Sequence, residues 1–181
     1  MLLLPCWVHW DEVDEPLVEF TAAVAKLRKD HPTFRRKRFF TGTTVRTGDG
    51  ERLNDIVWLH LDGRPMEDDD WESGSQAIGM YLNGNGIAGQ DARGGAITDD
   101  HFLLYFNADG ATEVTLPPDE YAPAWDVVVN TGGDANGHTH PAGTTIPMET
   151  RSLIVLREHQ KPEEEPDHSV AASVAAHGKT S

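Results

Sequence analysis

From Thr41 to Leu156 the sequence returns repeatedly to short apolar runs broken by glycine, proline, asparagine and aspartate, and no helical period links them. Six runs read as strands: Asp55–Leu61, Ala77–Leu82, His101–Asn107, Thr112–Leu116, Trp125–Asn130 and Arg151–Leu156. His101–Asn107 is the most apolar and is expected at the centre of a sheet. Asp62-Gly63 and Asp109-Gly110 are turn dipeptides, and the second predicts a hairpin from 101–107 into 112–116. Strands spaced roughly 10–25 residues apart with no helix between them predict an antiparallel β-sandwich. A mixed α/β sheet needs crossover helices, for which these connections leave no room.

Ahead of this region lies one amphipathic helix, expected over about 14–30. Asp14 suits the N-cap, and Pro16 falls in the first turn, where its missing N–H costs nothing. Val13 and Val18 have the spacing of a hydrophobic staple. Leu17, Phe20, Val24 and Leu27 form one apolar stripe, and Pro32 stops the helix at His31. Glu15 and Glu19 near the start, and Lys26, Arg28 and Lys29 near the end, complement the helix dipole. One helix cannot bury such a stripe alone, so the stripe needs another layer. Within this chain it is expected to stay under-buried, and residues 1–34 are expected to be removable without affecting the sandwich.

Charge and cysteine content narrow the partners. A net charge of −15 disfavours nucleic acid and anionic membranes. Seven of the fifteen cations nevertheless fall between Lys26 and Arg38, which reads as a helix end plus an interdomain seam. Cys6 is the sole cysteine, so no intrachain disulfide forms and a cytoplasmic location is expected. Met1–Cys6 faintly mimics a lipoprotein signal, but it lacks a basic region and its apolar run is too short. No apolar run reaches the roughly 20 residues of a membrane span.

The chemistry-bearing residues are sparse. Asp68, Asp69 and Asp70 lack the alternation of a calcium loop. His138 and His140 have no further close ligand, so no metal is expected, and no other cofactor either. Asn83-Gly84-Asn85-Gly86 follows no βαβ pattern, and no nucleophile motif occurs. The tryptophans carry more. Trp58 and Trp125 lie in apolar runs and are expected in the core, whereas Trp71 lies in the polar loop 66–75 and is expected exposed. Trp7 and Trp10 lie just before the helix and are expected on a loop that packs on, or lines, a larger surface. Residues 159–181 have too little apolar content to fold and are expected to be disordered.

Several segments, in order, resemble the C-terminal end of the bacterial glycogen-debranching enzymes, the isoamylase-type branch of the α-amylase family. They are Trp7-x-x-Trp10, Asp14-Glu15-x-Leu17-x-x-Phe20-Thr21, Leu27-Arg28-x-x-His31-Pro32-x-Phe34-Arg35-Arg36 and Phe39-Phe40. Asp55-Ile56-x-Trp58, Asp62-Gly63-x-x-Met66-x-x-x-Asp70-Trp71 and Leu82-Asn83-Gly84 follow. Asp100-x-Phe102-Leu103-Leu104-x-x-Asn107-Ala108, Leu116-Pro117 and Arg151-Ser152-Leu153-x-Val155-Leu156 complete the set, which spans residues 7–157.

This resemblance implies a mainly β fold, an antiparallel β-sandwich C-terminal domain preceded by one helix left over from a (β/α)₈ barrel. The expected divisions are 1–40 for the terminal loop and last barrel helix, 41–158 for the sandwich and 159–181 for the tail. It implies α-1,6-glucosidase chemistry on branched α-glucan, glycogen or limit dextrin, with the missing barrel portion as partner. The family's reacting carboxylates lie on earlier barrel strands, so no catalytic residue carries over to this chain, which is expected to be inactive alone. Trp7, Trp10 and Trp71 are the substrate-binding candidates. Residues 1–6 depart from the family pattern, so a truncated or frame-shifted start, or a split gene, is expected. The other reading is a stand-alone carbohydrate-binding or interaction β-module, with an exposed indole stacking on sugar C–H faces.

Overall fold

The computed structural model describes residues 13–46, 52–133 and 136–160. Helix α1 (Glu15–Asp30) starts at Asp14, whose carboxylate accepts from the Leu17 N–H at 3.1 Å, as the sequence predicts. It ends where the His31 N–H returns to the Leu27 carbonyl, and Pro32 then opens a 3₁₀ turn, Pro32–Arg35. No α1 residue is buried: Leu17 is 58% and Phe20 45% exposed. At the far end, Leu27 packs against the sheet.

Among the described residues twelve strands follow: β1 (Thr44–Arg46), β2 (Arg52–Asn54), β3 (Ile56–Leu59), β4 (Ala77–Leu82), β5 (Ile87–Gln90) and β6 (Ala96–Ile97). After them come β7 (Phe102–Asn107), β8 (Thr112–Thr115), β9 (Ala124–Asn130), β10 (Thr139–Pro141), β11 (Thr145–Met148) and β12 (Leu153–Glu158). Six build one antiparallel sheet in the order β10-β9-β12-β7-β4-β3, while β8 with β11, β1 with β2, and β5 with β6 form separate two-stranded ladders.

The sheet buries apolar side chains on both faces. On the inner face Tyr81, Leu103, Tyr105, Trp125 and Leu156 meet Val114, Leu116, Ile146 and Met148 from the β8–β11 layer. That pairing of layers is the sandwich core. On the outer face Leu82, Phe102, Leu104, Val129 and Val155 are covered in part by Leu27, Phe34 and Phe40. A bulge between Val155 and Leu156 shifts the β9 register, so that Val127 serves the inner cluster and Val129 the outer one.

Three expectations need correction. Asp109-Gly110 does not make a hairpin between β7 and β8. Both edges of β7 are already taken by β4 and β12, so the chain crosses to the opposite layer and β8 pairs with β11. Asn107 holds this crossing, accepting from the Asp109 N–H and donating to the carbonyls of Gly110 and Glu149. Trp58 is not in the core. It lies on edge strand β3 and is 39% exposed. Finally, residues 31–34 do not stand apart from the sheet but pack on it: His31 and Phe34 set their rings against Phe102 at 4.8 and 4.6 Å. Trp125, in contrast, is fully buried as expected.

Candidate functional site

The Asp62-Gly63 turn folds residues 64–66 back along β3, and Met66 N–H donates to the Trp58 carbonyl at 2.9 Å. Glycine is required at 63: φ is +88°, and a Cβ would lie 2.9 Å from the Thr115 and Leu116 carbonyl oxygens. Next comes the 3₁₀ turn Asp68–Glu72, capped from Glu67. Arg64 grips Asp70 with two parallel hydrogen bonds of 2.5 and 2.7 Å, and the Glu67 N–H also donates to Asp70 at 2.8 Å. Paired guanidinium–carboxylate bonds fix orientation as well as position. The turn therefore presents Trp71 in one place, 55% exposed, its ring 5.9 Å from that of Trp58 and at 78° to it.

This is the exposed aromatic site that the sequence pointed to at Trp71; its partner Trp58 was not foreseen. Exposed indoles of this kind can stack on the C–H face of a sugar. Trp7 and Trp10 lie outside the described residues. The hydrogen bond from Arg64, with that from the Glu67 N–H, holds the Asp70 carboxyl well below the usual carboxylate range. A depressed folded-state pKa stabilises the turn at any pH above the unfolded value, about 3.9 for aspartate, and that support is lost as pH falls through the folded one. Acrylamide quenching of Trp71, read as the difference between wild type and Trp71→Phe, should thus stay constant from pH 7 to below about 4 and rise only as pH falls through the depressed Asp70 value. Asp70→Asn should show the raised quenching already at pH 7; equal quenching in both proteins would show that the ion pair does not hold Trp71.

His31, Asp99 and Asp100 bring ligand-type atoms within 4.8 Å of one another. These atoms are already occupied. His31 Nδ1 donates to Asp99 at 2.8 Å, the Thr33 N–H donates to the second Asp99 oxygen at 2.9 Å, and Gln160 donates to Asp100 at 2.6 Å. The trio clamps the end of α1 to the loop before β7, and nothing in its bonding calls for a cation. His138 and His140, the other candidate ligands, stand with ring centroids 6.5 Å apart, His140 on β10 opposite Trp125. Asp55 is a second buried hub: it accepts from the N–H groups of Thr41 and Gly42, both at 2.9 Å, beside the Arg36 guanidinium at 3.7 Å.

Glycoside hydrolysis needs one carboxylic acid with a raised pKa. The carboxyls whose acidity this structure shifts move the other way. Lys26 lowers Asp30, and Arg64 lowers Asp70. At Asp62 burial pushes up, but the Arg64 N–H and His60 outweigh it; at Asp126 burial likewise loses to hydrogen bonds from Thr139 and His159.

No protein-family profile matches the chain. Among known proteins, the glycogen operon protein GlgX homologue of Mycobacterium tuberculosis is 42% identical over 158 residues, 83% of this chain and 22% of that protein. The glycogen debranching enzyme of Cronobacter sakazakii is 28% identical over 131 residues, 72% of this chain and 16% of that enzyme. The chain is a relative of the C-terminal part of the bacterial glycogen-debranching enzymes. It spans about a fifth of the length of these curated relatives. The mainly antiparallel β fold preceded by a single helix is the one that the resemblance implies.

Proposed function

We propose that this chain is the C-terminal module of a glycogen-debranching α-1,6-glucosidase of the cytoplasm, acting on branched α-glucan. The observation that carries this reading is the 42% identity over 83% of the chain. In this reading the helix face bearing Leu17 and Phe20 seats against the barrel portion that holds the reacting carboxylates. Each such side chain left in water forgoes roughly 1.5–3 kcal/mol of burial, which favours a permanent cover. In this reading Trp7, Trp10 and Trp71 are the candidates for contact with glucan. A free-standing carbohydrate-binding module is less well supported, because the relatives that share 42% identity are named for the glycogen operon and not as binding modules.

A reducing-end assay on glycogen limit dextrin tests the proposal. The purified chain should release nothing at any pH. Co-expression with the N-terminal four-fifths of a debranching relative, made without its own matching segment, should restore release. Hydrolysis by this chain alone, abolished by replacing one of its own carboxylates, would overturn the reading.

A further inference from the structure

The run Arg35-Arg36-Lys37-Arg38 forms one wall of a cavity of about 490 Å³, and the β5–β6 ladder forms the other with Ile87 and Ile97. This volume is typical of small-molecule sites. Among the described residues, Arg35, Lys37 and Arg38 have no acidic partner within 4 Å. Asp91 also lines the cavity, but one of its oxygens already accepts from the N–H groups of Arg93 and Gly95, both at 2.8 Å.

Arg36 is the unusual member. Its side chain is 7% exposed, with the guanidinium 4.0 Å above the Phe40 ring. Nη2 donates to the Gly86 carbonyl and lies 3.7 Å from Asp55, while Nε and Nη1 are buried without a hydrogen-bond partner. Burying a charged group with donors unused is costly, and such an orphan calls for an explanation. Those two atoms are closed to solvent, so the charge open to the cleft comes from Arg35, Lys37 and Arg38, and a neutral glucan does not call for it. In a chain of net charge −15, a cleft this cationic selects anions.

We propose that this cleft binds a phosphate monoester. Guanidinium groups match the geometry of phosphate oxygens, and exposed Lys37 and Arg38 supply the remaining charge. Inorganic phosphate alone would leave most of the cavity empty. The apolar wall of Ile87 and Ile97 suits the C–H face of the organic body that carries the phosphate. That body is either a free sugar ester or a sugar unit within a phosphorylated glucan, and the site lies apart from the Trp58–Trp71 pair. The inference does not rest on the debranching activity.

Methyl NMR titration of the intact chain tests it with glucose 6-phosphate, using unmodified glucose as the comparison. The Ile87 and Ile97 methyl signals should shift saturably with the ester and not with glucose. In Lys37→Ala/Arg38→Ala, whose side chains are exposed, affinity should fall at least tenfold with an unchanged melting temperature. Even if that variant failed to fold, the wild-type methyl shifts would decide the matter. Phosphorylated maltodextrin shifting the same signals, with loss after phosphatase treatment, would identify a glucan-borne ester; a response to glucose 6-phosphate alone would identify the free one. No saturable shift with any phosphate probe, equal shifts with glucose, undiminished affinity in a folded double variant, or tighter binding of a polynucleotide would each overturn the proposal.

Discussion

Asp55→Ala should destabilise the chain by about 3–5 kcal/mol, the usual loss when one partner of a buried charged pair is removed. Asp55 is 4% exposed and its two oxygens take both backbone N–H groups of the Thr41-Gly42 bend, so truncation leaves two donors unsatisfied. It also strips the nearest counter-charge from the buried Arg36 guanidinium. Burial holds the Arg36 pKa below its ordinary value, and Asp55 works against that trend. Asp55→Asn keeps an acceptor oxygen but not the charge, and should cost about half as much. Urea unfolding followed by far-UV circular dichroism reads both. A loss below about 1 kcal/mol for the alanine variant would show that water replaces the carboxylate, and that the hub is not structural.

A pair of truncations should separate the helix into two parts of different consequence. Removing residues 1–26 should change stability by less than about 1 kcal/mol, because the α1 side chains lost are exposed. It should also raise solubility by removing Leu17 and Phe20 from the surface. Removing residues 1–34 should cost about 3–5 kcal/mol, the range seen for deleting one large buried aromatic. That deletion takes away Leu27, His31, Thr33 and Phe34, uncovers Phe102 and leaves Asp99 without two of its donors. Equal urea midpoints for the two truncations would show that the outer face of the sheet does not depend on this cover.

What the sequence made legible was whatever local chemistry decides. Asp14 and Pro32 mark the helix ends because capping and the restriction before proline act over a few residues. The alternation in β9 and the continuous apolar run of β7 were readable because each reports which faces are buried. The strands of the small ladders were not. Ile87–Gln90 contains Ala88 and Gly89, and Thr145–Met148 contains Pro147, which is tolerated because β11 pairs on one side alone. At the candidate site, Trp71 was readable from its polar loop. Its contact with Trp58 depends on Arg64 reaching Asp70 six residues later, and spacing does not reveal that grip. Asp55 belongs to a recognisable segment, but its role comes from Thr41 and Gly42, which the sequence does not pair with it.

The place of β12 bears on how the sheet is made. This last of the described strands sits between β9 and β7, and among the described residues no other ladder joins the β3-β4-β7 half to the β9-β10 half. During synthesis both halves emerge before the strand that unites them. Until Leu153–Glu158 leaves the ribosome, β7 and β9 each present an open edge flanked by apolar side chains. Such distant pairing is slow to form, and exposed edges invite association with other nascent copies. Completion of the sheet is therefore a late, single insertion event, and the yield of folded chain should depend on how long ribosomes pause before they reach that strand.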